Sequence, residues 1–383
     1  MISISRLLCD TSSQGDSLRY AKNENPRPVV VWNCTRRCNL NCIHCYASAN
    51  SHSSPPELST EAGKTLIRDL ADFGVPVLLF SGGEPLMRKD LFELAGLAKE
   101  LGLRVAISTN GTLVTPEAAR KLKEIGFAEV GISLDGIEPT NDYFRGKEGA
   151  FQAALTGIKN SLAQGLRVSL RLTITRFNYQ EIPAILDLVE KEGIDRVCFY
   201  HLAYSGRGQG LQKSDIDHAQ TRAVVDEICK RTLDLHRRGL KKEILMVGNH
   251  ADGAYLYLQA QKNDPERAKK ILELLMLNGG NNSGIKIGAV DNLGNVHPDQ
   301  FWWHYNLGNV CERKFGDIWM DTSEPLMRGL KNRKGLLKGR CSRCTHIDIC
   351  NGNLRERAEA VFNDVWADDP ACYLTDEEIG TAE

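Results

Sequence analysis

Val29-Val-Val-Trp32-Asn-Cys34-Thr-Arg-Arg-Cys38-Asn-Leu-Asn-Cys42-Ile-His-Cys45 passes from a short β-rich run straight into a cluster of cysteines. Cys38, Cys42 and Cys45 have C-x3-C-x2-C spacing and directly follow the apolar run, which places them in the loop at its C-terminal end. In open α/β sheets ligands bind at that end of the strands. Three thiolates on one loop can hold three irons of a 4Fe–4S cluster and leave the fourth iron open. A structural zinc asks instead for four ligands in closed tetrahedral geometry. Zinc with Cys34 as the fourth ligand is therefore the alternative, although Cys34 is expected to be a neighbour and not a ligand.

Outward from this stretch the pattern alternates. Apolar strands read at 75–80, 104–108, 129–134, 167–175 and 196–200, with helix-period segments at 60–73, 90–101, 116–125, 150–164 and 179–192 between them. Ser59 or Thr60 can cap the first helix, and Gly74, Gly102, Gly126, Gly165 and Gly193 stand where helices should stop. Strand, helix and stop-glycine in five repeats describe βα units on a parallel sheet. Six strands are too few for an eight-stranded barrel, so the expected fold is α/β, an open six-stranded partial barrel. A polar lead-in (1–27) precedes this core (28–205). A charged, helical connecting region (206–280) and a small loop-rich domain (281–383) follow it.

The chain has 383 residues and a net charge of −1, with 48 Lys and Arg against 49 Asp and Glu, which gives no long-range field to gather nucleic acid or an anionic membrane. No apolar run approaches the roughly 18–20 residues that span a bilayer, and Asp10 interrupts the N-terminus too early for a secretory signal. A cytoplasmic location is expected. Twelve cysteines in a reducing compartment point to metal or catalysis and away from disulfides. Cys198 and Cys229 read as small buried hydrophobes.

Ser81-Gly82-Gly83-Glu84-Pro85, Ser108-Thr-Asn110-Gly and Ser133-Leu-Asp135-Gly136 close successive strands. Each alone is a common turn. Together, behind Cys38, Cys42 and Cys45, they resemble the signature of the radical S-adenosylmethionine (SAM) superfamily over roughly residues 28–205. The resemblance implies that the open iron chelates the amino and carboxylate groups of SAM. It also implies that Gly82, Gly83 and Glu84 face the methionine amino group, that Ser108, Asn110 and Ser133 contact the ribose or methionyl part, and that Arg171 pairs with the SAM carboxylate.

Cys341-Ser-Arg-Cys344 and Cys350, with Cys372 beyond, offer four more thiolates. Two such pairs also describe a zinc ribbon, so zinc stays open on the residues alone. The region is similar to the SPASM or twitch extension of radical SAM enzymes, which binds auxiliary 4Fe–4S clusters through seven cysteines in its full form. Here Asp299 and Leu354 stand where two of those cysteines are expected. The likeness thus implies one auxiliary cluster, two clusters in total, and a role in electron transfer.

For a substrate the residues near the barrel mouth suggest His201, Tyr204 and Arg207, with Arg145, Asn249 to Gly253, and His297 to His304. Aromatics beside histidines suit a large flat ligand, though Phe301, Trp302 and Trp303 fit a core equally well. The segments around Arg207, Asp252, Asp299 and Asn353 resemble the AhbC and NirJ type of radical SAM enzyme, which modifies tetrapyrroles. That likeness implies removal of two acetate side chains from 12,18-didecarboxysiroheme to give Fe-coproporphyrin III, with a flavodoxin or ferredoxin as low-potential donor. Removal of propionates from the same substrate is the alternative. Peptide maturation is a third reading, for which residues 1–28 are too short to form a recognition module.

Overall fold

In the computed structural model, residues 1–22, 26–50 and 56–380 are described; Asn23 to Asn25 of the expected lead-in lie outside them. The strands are β1 (Ile2–Ser3), β2 (Val29–Asn33), β3 (Val77–Ser81), β4 (Arg104–Thr109), β5 (Val130–Ser133), β6 (Val168–Ile174), β7 (Arg196–His201), β8 (Glu243–Val247), β9 (Ile287–Val290) and β10 (Val296–His297). They form one sheet in the order β1-β8-β7-β6-β5-β4-β3-β2-β9-β10. From β9 to β8 all neighbours are parallel, and β1 and β10 pair antiparallel at the two edges. Val30, Leu78, Val105, Val130, Leu170 and Val197 are completely buried, as expected of parallel strands covered on both faces.

The six strands expected from residues 28–205 are β2 to β7, so the α/β partial barrel holds. Two differences follow from short segments. The connecting region is not wholly helical, because Glu243-Ile-Leu-Met-Val247 adds β8 beside β7. Glu, Leu and Met are good helix formers, and five apolar-rich residues have no readable period. The loop-rich region contributes Ile287-Gly-Ala-Val290 as β9 beside β2, two of whose four residues are too small to signal a strand. An unforeseen helix, Glu138–Arg145, follows β5.

Helices Thr60–Phe73 and Pro116–Ile125 have the expected bounds, capped by the side chains of Ser59 and Thr115. Residues 1–22 are more than a lead-in. The Ser3 hydroxyl caps helix Ile4–Cys9, and Ser5 bridges Lys242 and Ile244 at β8. One apolar core runs from Ile2 to Ile379, including Trp302, Phe315 and Trp319, so the expected boundary at 280/281 does not divide it. The C-terminal region is latched to the strand ends by Arg357. This fully buried guanidinium donates to Leu202 O (3.1 Å), to Gly248 O and to both carboxylate oxygens of Asp369 (2.9 and 3.2 Å). No helix among the described residues is long and apolar enough to cross a membrane.

Candidate active site

The β2 strand delivers the cysteine loop to the C-terminal mouth of the sheet, where Cys38, Cys42 and Cys45 share a small apolar cluster with Leu40, Ala49 and Ala150. Backbone contacts fix this loop on three sides. Asn41 N and Ile43 N donate to Arg145 O (3.2 Å) and Phe144 O (2.9 Å) at the end of the unforeseen helix. Gly83 N and Glu84 N donate to Thr35 O (2.7 Å) and Arg37 O (2.8 Å). A Cβ at Gly83 would stand 2.7 Å from the Arg37 carbonyl carbon, so only glycine allows this approach. Arg207 closes the third side through its Nε to Cys42 O (2.7 Å), its Nη2 to Ala49 O (2.8 Å) and its amide to Cys45 O (3.0 Å). Gly206, at φ 56°, comes so close that a Cβ would meet Cys45 O at 2.5 Å.

The three thiols open on a cavity of about 1150 Å³ that is also lined by Gly82, Gly83, Ser108, Asn110, Ser133 and Arg171. All six were expected at the SAM site. Glu84 was expected there too, but it is not in the cavity wall. Its carboxylate accepts from Thr109 Oγ1 (2.7 Å), Asn110 N (2.8 Å) and Leu86 N (3.1 Å), so it shapes the β4 turn instead. Two donors reach the sulfurs: Asn110 Nδ2 lies 3.8 Å from Cys38 Sγ, and Arg145 Nη1 lies 3.6 Å from Cys42 Sγ. Arg171 is nearly buried, with Glu129 at 3.6 Å and its Nε lacking a hydrogen-bond partner at the cavity.

Burial pushes the free Cys38 thiol up to about 12 and raises Cys42 as well. Thiols as buried as Cys38 and Cys42 ionise only when a metal compensates the charge, and three cysteines around one cavity fit a cluster with one free iron. Cys34 stands apart in the main core, its Sγ donating to Ser81 O at 3.3 Å. Asp135, His44 and Arg145 form an unforeseen charged group in the same cavity. Burial opposes the charge of Asp135, but Arg145 and the imidazole of His44 (3.2 Å) outweigh it and hold its carboxyl down at about 2. Asp135 follows Leu134 in a quoted motif, and only the fold shows that His44 and Arg145 meet it.

Of the expected substrate residues, His201 lines the cavity, with its Nε2 3.0 Å from Asp252 Oδ2. The others are placed differently. Arg207 is turned to the cysteine loop through its Nε and Nη2, and Arg145 faces Asp135 and Cys42 through its two terminal nitrogens. His297 is buried, its Nδ1 2.7 Å from Tyr305 O and its Nε2 3.4 Å from Asp291. Asp299 is buried too, accepting from Ser283 Oγ (2.5 Å) and Phe301 N (2.8 Å). Both hold the hairpin after β9. Tyr204 donates to Asp215 at 2.9 Å and faces a second chamber, which Trp303 and Phe301 also line. Trp302 is core. Because Arg207 holds the loop by two charge-assisted bonds worth about 1.5–3 kcal/mol each, Arg207→Ala is expected to lose iron from the first cluster and cut SAM cleavage. Tetrapyrrole affinity unchanged alongside falling iron content, read by metal analysis and fluorescence quenching, is the outcome that supports this. The reverse outcome overturns it.

The four C-terminal cysteines Cys341, Cys344, Cys350 and Cys372 converge as well. Burial raises the Cys350 thiol first, and the proximity of Cys372, Cys341 and Cys344 raises it further. Beside them Arg355 is fully buried, with Nη1 on Val365 O (3.2 Å) and Ala367 O (2.5 Å) while Nε and Nη2 have no hydrogen-bond partner. Its charge faces Cys341 and Cys350. Among the described residues, no three His, Cys, Asp or Glu side chains close on one point as a single metal ion requires.

The family model described as the Radical SAM superfamily matches residues 32–189. The chain is 56% identical to the Fe-coproporphyrin III synthase of Methanosarcina barkeri, across the full length of both. It is 44% identical to the pre-heme d1 synthase of Dinoroseobacter shibae, over 93% of this chain and 89% of that one. Among solved structures, Streptococcus suis SuiB bound to S-adenosylmethionine superposes with a TM-score of 0.71 at 19% identity, over 91% of this chain and 78% of that one. The anSMEcpe structure with bound AdoMet gives 0.71 at 17% identity, over 91% and 94%. At such identities the structural likeness speaks for the fold alone.

Proposed function

Because the chain belongs to the radical SAM superfamily, whose members bind SAM at a 4Fe–4S cluster, we propose that it removes the two acetate side chains of 12,18-didecarboxysiroheme to give Fe-coproporphyrin III. The observation that carries this reading is the 56% identity to an Fe-coproporphyrin III synthase over the whole of both chains. When bound and reduced, such a cluster would supply the electron for the reductive cleavage of SAM. In this reading Cys38, Cys42 and Cys45 hold that cluster, and Gly82, Gly83, Ser108, Asn110, Ser133 and Arg171 hold SAM. Arg145 and Asn110 donate to the thiolate sulfurs.

Cys341, Cys344, Cys350 and Cys372 hold the auxiliary 4Fe–4S cluster in the same reading. Support comes from the convergence of four thiols and from the two orphaned donors of Arg355, which such a cluster's sulfurs would satisfy. Held by these four thiolates, such a cluster would supply electron transfer. Release of an acetate unit takes up one electron and one proton, and a flavodoxin or ferredoxin is the class of donor that can supply the electron.

The test is the product formed anaerobically from 12,18-didecarboxysiroheme, SAM and a reductant. Mass spectrometry is expected to find Fe-coproporphyrin III and two acetates per tetrapyrrole. A product that keeps both acetates and has lost two propionate groups instead assigns the chain to the other reaction, for which the 44% identity to a pre-heme d1 synthase speaks.

A further inference from the structure

A second chamber of about 1110 Å³ lies beside the SAM cavity. Tyr46 and Phe301 line both, and their rings meet edge to face with centroids 5.5 Å apart, so they form the partition. On the far side Arg36 lies over the Trp303 ring at 5.4 Å, with one nitrogen on Ala47 O at 2.9 Å. A flat aromatic wall and a planar guanidinium together suit a flat macrocycle that carries carboxylates.

Two acids line this chamber, and their surroundings separate them. Glu359 accepts from Trp302 Nε1 (2.9 Å), His304 Nε2 (3.1 Å) and Tyr305 OH (2.9 Å), and these partners keep it ionised in spite of partial burial. Glu356 is only 4% exposed, and its Oε2 has no hydrogen-bond partner. Burial, then the carboxylates of Asp299 and Asp369, outweigh the attraction of Arg357 and push it up to about 8. It therefore carries a proton at neutral pH. Tyr204, the nearby phenol, is pushed well above its usual range by burial and by Asp215, and it does not give up its proton. Pairs of acids whose environments drive them apart mark a proton donor beside a permanent charge.

We propose that this chamber seats the tetrapyrrole, and that Glu356 is the acid whose proton completes the acetate unit as it leaves. The inference rests on the reaction proposed above. After the 5′-deoxyadenosyl radical takes a hydrogen atom from the substrate, the ring-to-acetate bond breaks homolytically. A double bond forms on the macrocycle and a carboxymethyl radical departs. That radical accepts one electron from an iron–sulfur or flavin reductant and one proton from Glu356, giving acetate. The Glu356 carboxylate then recovers its proton from water.

The experiment compares wild type, E356Q and E356D on 12,18-didecarboxysiroheme, counting 5′-deoxyadenosine and acetate in each. General-acid catalysis contributes about 100-fold or more, so E356Q is expected to keep SAM cleavage within about twofold while acetate per 5′-deoxyadenosine falls about 100-fold. E356D is expected to restore part of the coupling. E356Q with wild-type coupling overturns the proposal, as does a parallel loss of SAM cleavage and acetate in a folded variant. Should E356Q not fold, the wild-type pH profile decides. Acetate per 5′-deoxyadenosine is expected to fall above about pH 8, as Glu356 deprotonates beside Asp299, Asp369 and Arg357. A flat ratio across that range overturns the proposal. Failure of the reaction assignment looks different: the wild type itself then makes a product other than Fe-coproporphyrin III.

Discussion

Cys42→Ala is expected to abolish SAM cleavage, with a fall of more than about 1000-fold, and to leave the protein with roughly half its iron. Two thiolates cannot hold a cubane with one iron open, and the fold supplies no substitute. Cys34 is the nearest other thiol in sequence, but its Sγ is spent on Ser81 O inside the main core. His44 faces the cavity, but its Nε2 is committed to Asp135 at 3.2 Å. Under the proposed assignment the remaining iron is expected at Cys341, Cys344, Cys350 and Cys372. Metal and sulfide analysis, together with the electron paramagnetic spectrum of the reduced protein, distinguish the two populations. Cys34→Ala serves as the control and is expected to keep both clusters. Residual SAM cleavage in Cys42→Ala, or its loss in Cys34→Ala, would falsify the ligand assignment.

Arg357→Ala is expected to destabilise the protein by about 3–5 kcal/mol, the range for removing one member of a buried ion pair. Both Arg357 and Asp369 are fully buried. The substitution strands the Asp369 carboxylate without its cation and leaves the carbonyls of Leu202 and Gly248 without their shared donor. Asp369 also accepts from Leu354 N (2.9 Å) and Ala371 N (2.9 Å), so the loss reaches both sides of the C-terminal region. Calorimetry of the single variants and of Arg357→Leu with Asp369→Leu measures the coupling. The double variant is expected to recover much of the stability, because it removes the uncompensated charge. Equal destabilisation by the single and double changes overturns this account of the latch.

Much of the site could be read from residues that lie next to each other in sequence. Spacing picked out Cys38, Cys42 and Cys45, and the likeness to radical SAM enzymes picked out Gly82, Gly83, Ser108, Asn110 and Ser133, all of which line one cavity. The βα alternation made the strand ends identifiable, since long apolar strands between well-capped helices leave little ambiguity. Glu84 shows the limit of such reading. Its position in the motif was correct, but which way a carboxylate turns depends on the amides that a neighbouring strand brings to it. Arg207 shows the same limit for a charge. A basic residue after a strand looks like a ligand for an anion until the fold shows two of its nitrogens turned to backbone carbonyls of the cysteine loop. Conversely, Arg36, Glu356 and His44 carried no signal, and the meeting of His44 with Asp135 and Arg145 becomes meaningful only once the fold brings residues distant in sequence together. The strands β8 and β9 were hidden for a simpler reason: four or five residues are too few to establish a period.

The placing of β9 beside β2 has a consequence for how the protein is made. During synthesis the strand that ends in the cysteine loop emerges early, and β3 can pair with one of its edges as soon as it follows. The other edge waits for Ile287–Val290. Until the ribosome has released that segment, β2 presents an open row of amides and carbonyls, and such rows invite pairing with other chains. Nascent chains halted before Ile287 are therefore the aggregation-prone species in the life of this protein, and a holdase that shields β2 on the ribosome would raise the yield of the complete sheet.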